Sequence, residues 1–362
     1  MLIVDAHEDL AWNMLTFDRD YTLAAVETRQ RERGTSAPAH NGDTLLGYPD
    51  YLRGEVAVVF STLFASPARR QQGNFDTQVY TTTEQANKVY RDQLDAYFRL
   101  TDDSPDKFRL ILEHADLEDV LSHWQKPDVD EHPIGLVILM ENAEGVRSLS
   151  ELEEWFELGV RIIGPAWAGT RFCGGTHEPG PLTSEGYALL DGMADLGFVL
   201  DISHMDEQAA LQALEYFPGS IIASHANARS LLKDTDSNRF LSDDVIHALI
   251  ERNGIIGIVP YKSFLDPSWR PSDGRQAVTL DHVISHIDHV CQLAGSAQHV
   301  ALGSDFDGGF GWQSVPAEID SVADLQKLIP LLAEKGYTNN PISAIMGENW
   351  LSLLRRTLPE EE

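Results

Sequence analysis

Eight near-continuous apolar runs alternate with helix-like stretches along the chain, and no other feature of the sequence restricts its fold as much. The runs cover residues 2–9, 56–64, 134–140, 160–164, 198–202, 220–225, 254–259 and 299–305. Helical spacing falls at 82–100, 149–158, 184–196, 206–216, 242–252 and 281–294, with Gly197 as a stop signal after the third of these. Strands that stay apolar from end to end are those buried on both faces, as in parallel sheets covered by helices. Eight such strands close a TIM-type barrel, so the expectation is a single distorted (β/α)8 barrel domain over residues 1–362. A doubly wound open sheet is the alternative, but it gathers its ligands at one switch point. Residues 11–53 are polar and irregular, which predicts a helical piece followed by a long loop acting as a lid.

The residues that end these runs are restricted in kind. His7 and Asp9 end the first, Glu141 follows the third, His204 the fifth, His225 closes the sixth and Asp305 the eighth. In a barrel the carboxyl ends of the strands share one face, so residues from opposite ends of the chain can point at one centre. Within the first run, period-two alternation sends His7 and Asp9 to the same side. One imidazole and one carboxylate suit a divalent metal of the zinc type. Taken alone, His-x-Asp is equally a buried hydrogen-bonded pair; its recurrence as His, Asp and Glu over five strand ends selects the metal. Three imidazoles and three carboxylates exceed the roughly three ligands that one catalytic zinc takes from a protein, so two ions are expected. Glu141 is the natural bridge, since its two oxygens can each take one ion across the ~3.5–4 Å of a two-metal site. A water shared by two ions loses a proton near neutral pH and becomes a nucleophile. Asp305 is placed to take that proton and deliver it to a leaving amine.

Other features point away from competing functions. Lysine and arginine number 27 against 57 aspartate and glutamate, a formal net charge of −30 that argues against nucleic acid or an anionic membrane as partner. Cys173 and Cys291 are too few for a disulfide framework and neither is an obvious nucleophile, so the cytoplasm is the expected compartment. No basic leader and no apolar run of membrane-helix length is present. His282, His286 and His289 share a helical spacing ahead of the eighth run, where they are carried away from the catalytic face. The segment Gly303 to Gly309 lacks the Gly-Lys-Ser/Thr ending of a phosphate loop, and Asp307 within it reads as a turn or supporting residue.

Five stretches resemble the membrane (renal) dipeptidase family of amidohydrolase-type barrels: Asp5-Ala6-His7-Glu8-Asp9-Leu10, Leu158-Gly159-Val160-Arg161, Asp201-Ile202-Ser203-His204, Ser224-His225-Ala226-Asn227-Ala228-Arg229 and Gly303-Ser304-Asp305-Phe306-Asp307-Gly308. The resemblance runs from about residue 3 to residue 352. It implies that His7 and Asp9 bind one zinc, that His204 and His225 bind the other, and that Glu141 bridges them. It also implies hydrolysis of a dipeptide with a free carboxylate, with Asp305 handling the proton and Arg239 pairing with that carboxylate. A bidentate guanidinium–carboxylate contact is the physical reason for the arginine. Family members are often homodimers, although no stripe in this sequence specifies one. The chain departs from the family after the fourth run. A histidine in a Leu-Thr-His context is replaced by Gly164-Pro165-Ala166-Trp167, and an indole offers only an N–H donor. Substrate choice is expected to differ there, in the loop 168–181 with Arg171, Phe172 and His177. Tyr261, soon after the seventh run, is a second candidate for the substrate pocket.

The leading expectation is therefore a binuclear zinc dipeptidase, with tolerance for a D-residue at the carboxyl side left open. Its rival is the same centre acting on another amide, such as an N-acyl amino acid, a β-lactam or a cyclic amide. A metal-binding barrel without turnover comes last, since a protein released from catalysis has no need of all six groups.

Overall fold

A computed structural model describes residues 1–126 and 132–360. The eight apolar runs form strands β1 (Ile3–Glu8), β2 (Val56–Leu63), β3 (Ile134–Met140), β4 (Val160–Ile163), β5 (Val199–Asp201), β6 (Ile221–Ala223), β7 (Ile255–Ile258) and β8 (Val300–Leu302). They are parallel and ordered in sequence around a ring that closes where Asp5 of β1 pairs with Leu302 of β8. This is the closed (β/α)8 barrel, and the open-sheet alternative falls away.

Alternate residues sort the apolar side chains into two layers. Val4 and Ala6, Val58 and Phe60, Val137 and Leu139, Ile162, Val199, Ile222, Ile255 and Ala301 come from all eight strands into one buried cluster, which fills the interior. Trp350, Leu353 and Leu354 of the last helix, Asn349–Thr357, belong to the same cluster. The indole of Trp350 donates to the Leu302 carbonyl at 2.8 Å and ties that helix to β8. The other strand faces pack outward against the helices in a second cluster that includes Ile3, Val59, Ile163, Leu200 and Ile256. Close approach limits residue size near the top of the ring. A Cβ on Gly257 of β7 or on Gly303 after β8 would collide with the Ser224 carbonyl, so only glycine fits against the end of β6 there.

The helices carry the caps that their sequences offer. Thr82, Thr183 and Ser242 accept from backbone N–H groups at the starts of Thr83–Asp103, Ser184–Leu196 and Asp243–Glu251. Gly197 ends the second of these in a left-handed conformation, φ 81°. Three regions differ from the sequence reading. A short strand, Phe108–Leu110, extends the sheet beside the first half of β3, and helix His114–Trp124 precedes β3. The loop after β4 contains a hairpin, Cys173–Gly175 with Glu178–Leu182, whose glycines and prolines hide any strand pattern. The stretch expected to be one helical piece and a long loop instead holds four helices: Leu10–Phe17, Ala25–Arg31, Ala37–His40 and Tyr48–Gly54. Apolar side chains, Leu10, Ala11, Leu45, Leu46 and Tyr51 among them, bury it in the second cluster, and buried polar bonds tie it down as well. Arg19 donates to Glu32 at 2.8 Å, to Asp307 at 2.9 Å and to Asn13 at 3.0 Å.

Candidate metal centre

Each candidate ligand sits on or just past the carboxyl end of a strand. His7 lies near the end of β1, where the pairing with β2 shifts register between Asp5 and Glu8. Asp9 follows the strand and starts helix Leu10–Phe17. Glu141 comes directly after β3, while His204, His225 and Asp305 lie two or three residues beyond β5, β6 and β8. The six side chains converge. Glu141 Oε1 lies 3.7 Å from His7 Nε2, 3.0 Å from His204 Nε2 and 3.6 Å from His225 Nε2. His7 Nε2 is 3.9 Å from Asp9 Oδ2 and 4.0 Å from Asp305 Oδ1. Three overlapping donor sets result: His7, Asp9 and Glu141; Glu141, His204 and His225; His7, His225 and Asp305.

Neighbouring hydroxyls orient the ligands. The Ser224 hydroxyl donates to Asp201 Oδ2 at 2.6 Å and so accepts from His225 Nδ1, 2.8 Å away, which leaves His225 Nε2 as a bare lone pair. Asp201 also accepts from the Ser203 hydroxyl at 2.6 Å and from the Ser224 amide at 2.9 Å. Thr176 Oγ1 lies 2.9 Å from His204 Nδ1, so Nε2 of that ring also faces the centre. Thr62 donates to Asp9 Oδ1 and leaves Oδ2 toward His7. The sequence reading gave these positioning groups no role, although the hydroxyl directly before His204 and His225 was a readable signal.

The donor set fits a divalent cation of the zinc type. His7 Nε2 is buried without a hydrogen-bond partner, and the Nε2 atoms of His204 and His225 face each other at 2.9 Å. Burial keeps all three imidazoles neutral, with pKa values well below the usual range, as metal ligation requires. Burial first, then repulsion from Asp9 and from Asp305, raises the Glu141 carboxyl well above its ordinary value. Burial and Asp9 raise Asp305 likewise, while burial brings Asp9 to about 6. Cations among these carboxylates reverse that sign.

Asp305 adopts a left-handed backbone, φ 57°, and so does Asp307, φ 62°, a conformation that Asp tolerates better than most residues. The Asp305 amide donates to the His7 carbonyl at 3.0 Å, which locks the end of β8 to that of β1. Asp307 is a supporting residue, as read from the sequence. Its carboxylate accepts from Arg19, Tyr21 and Thr44 at 2.6–2.9 Å and thereby holds the segment after β1 beside the site.

A cavity of about 560 Å³ opens above the six ligands. Asp9, Glu141, His204 and Asp305 form part of its floor, and Trp12, Phe64, Trp167, Arg239 and Phe264 part of its walls. The segment after β1 reaches the cavity at His40 and Asn41. Arg239 is buried, not a surface cap. Its Nη atoms donate to the Ser203 and His225 carbonyls at 2.9 and 2.8 Å, while Nε is buried without a partner. Trp167 lines the wall, 5.2 Å from the Phe64 ring and 6.1 Å from that of His204. In the loop 168–181, Thr176 and His177 line the cavity, whereas Arg171 turns away to Glu144 at 2.9 Å. Tyr261 is not brought into the cavity wall. It stacks on Phe310 at 4.1 Å behind Phe264, because helix Lys262–Leu265 starts immediately after it and points Phe264 inward instead. His282, His286 and His289 belong to none of the donor sets among the described residues.

A model of the family described as membrane dipeptidase (peptidase family M19) matches residues 1–360. The chain is 30% identical to an uncharacterised protein from the pqqA 5' region of Klebsiella pneumoniae, over 70% of this chain and 90% of that one. It is 27% identical to an uncharacterised dipeptidase of Schizosaccharomyces pombe, over 98% of this chain and 80% of its relative. Among solved structures it resembles a metallopeptidase from Rhodobacter sphaeroides, bound to a phosphinate mimic of the dipeptide L-Ala-D-Ala. The TM-score is 0.77, the identity 24%, and 99% of each chain is covered.

Proposed function

The chain belongs to the membrane dipeptidase family and is a metallohydrolase, and on that premise we propose that it cleaves dipeptides with a free carboxylate at a two-zinc centre. His7 and Asp9 would hold one ion and His204 and His225 the other, with the Glu141 carboxylate common to the two sets. The chemistry a divalent metal would supply there is polarisation of the scissile carbonyl and a water made acidic enough to attack near neutral pH. The protein's own groups do the rest. Asp305, grouped with His7 and His225, accepts the proton from the attacking water and returns it to the departing amine. Arg239 fixes the substrate's carboxylate, and the cavity walls exclude bulk water so that this ion pair is strong.

The observation that carries the reading is the buried Arg239 guanidinium beside the ligand set. Its Nε is unpartnered, and among the described residues it forms no ion pair. Burying such a charge is costly unless an anion completes it, and a substrate carboxylate does so. The bound mimic in the Rhodobacter protein supports a dipeptide-sized ligand, and with it tolerance for a D-residue at the carboxyl side. The test compares free dipeptides with their C-terminal amides. The amides should lose one to two orders of magnitude in kcat/KM, and Arg239→Met should abolish the difference. Equal turnover of acids and amides would remove Arg239 from substrate binding. It would favour the rival reading, another amide admitted by the Trp167 wall.

A further inference from the structure

The excursion between β2 and helix Thr83–Asp103 brings two charged side chains to the cavity, Arg70 and Asp76. Arg70 is committed elsewhere, paired with Glu178 at 2.9 Å. Asp76 is only 4% exposed, and its Oδ1 is buried without a hydrogen-bond partner. Among the described residues its carboxylate has no ion pair, so a buried anion faces the cavity with part of its capacity unused. Beside it the loop offers Phe75, stacked on His40 at 3.8 Å, together with Gln72 and Phe64.

Position in the ring decides which part of a substrate meets Asp76. β2 and β6 are four strands apart in a ring of eight, and so lie on opposite sides of the barrel. Arg239 follows β6, which places the substrate carboxylate on one side of the metal centre and the amino-terminal residue toward the other. The α-ammonium of that residue is two bonds from the scissile carbon, about 2.5 Å away, and stays close to the ligands. Asp76 is in none of the donor sets. A cation reaching it from the scissile bond needs a longer arm.

We propose that this loop forms the subsite for the amino-terminal side chain, and that Asp76 selects a basic one, lysine or arginine in type. The methylene stem lies along Phe64 and Phe75 while the cation meets the unpaired carboxylate. The inference rests on the dipeptidase reading and deepens it.

Steady-state kinetics of the zinc-loaded enzyme on Arg-Ala, Lys-Ala, citrulline-Ala and norleucine-Ala test it, since citrulline keeps the length of arginine and norleucine the four-carbon stem of lysine, each without the charge. The wild type should prefer each basic substrate to its neutral counterpart by about tenfold to a hundredfold in kcat/KM, and Asp76→Asn should bring both ratios near one. Absence of a preference in the wild type overturns the subsite. So does a loss in Asp76→Asn that is equal on all four substrates, because it would assign Asp76 to the common α-ammonium or to scaffolding. Failure to cleave any of the four, with metal bound, overturns the dipeptidase reading itself and this inference with it.

Discussion

Single residues at the centre divide into those proposed to touch metal or substrate and those that aim them, and different substitutions separate the two. Asp305→Asn keeps an oxygen toward the donor set but cannot carry a proton, so turnover should fall by two to four orders of magnitude with metal content unchanged. Elemental analysis beside kcat checks this, and near-normal turnover would take Asp305 out of the proton path. Ser224→Ala removes the hydroxyl between Asp201 and His225, and should weaken metal binding by about ten- to a hundredfold in a chelator competition. Gly308 is constrained more directly, since a Cβ there would meet Asp305 Oδ1 and lie 2.7 Å from Asp9 Oδ2. Gly308→Ala should therefore weaken metal binding while leaving the fold intact by circular dichroism. That these six side chains meet could be read from the sequence, because all of them stand at strand ends. Of the side chains that orient them, the serines directly before His204 and His225 left a signal in the sequence, whereas Thr62 and Thr176, far along the chain from Asp9 and His204, left none. Tyr261 shows the opposite failure, a residue at the right distance along the chain whose side chain packs behind the wall.

Elements were legible in proportion to their periodicity. The buried strands and the capped helices announced themselves by unbroken apolar runs, spacing and caps. The four short helices after β1 did not, because at four to eight residues each they are too short for an apolar period to show, and buried contacts of Arg19 with Glu32 and Asp307 help to hold them. The hairpin after β4 was equally hidden by its glycines and prolines. Helix Leu280–Ala294 carries the test that belongs to this scale. His286 is 2% exposed, and its Nδ1 accepts from the Ala228 amide at 3.2 Å, which requires an unprotonated nitrogen. Burial pushes its pKa down from 6.5 to about 3. The unfolded chain therefore takes up this proton first as pH falls. Stability from the neutral ring is fully present above about pH 6.5 and is lost as pH drops toward 3, at about 1.4 kcal/mol per pH unit. Urea denaturation at pH 7 and pH 5 should show the wild type losing about 2 kcal/mol more than His286→Gln. Equal losses in the two proteins would contradict the assignment.

For the whole molecule, the barrel is what makes a site from residues scattered between His7 and Asp305. Its ring places every strand end on one face, and among the described residues no helix is long and apolar enough to cross a membrane. Because the donor groups crowd together only when the ring is closed, metal should stabilise the fold. Free zinc at about a hundred times its dissociation constant is worth about 2.7 kcal/mol, a rise of several degrees in Tm that chelator should reverse. Metal-dependent peptide hydrolysis is the central claim, and amino-acid release tests it most directly. Protein stripped with chelator and the same protein reloaded with zinc are each given a mixed library of dipeptides, including L-Xaa-D-Xaa members. The account predicts free amino acids from the reloaded protein and none from the stripped one. Two metals bound per chain with no amino acid released from any member would contradict it.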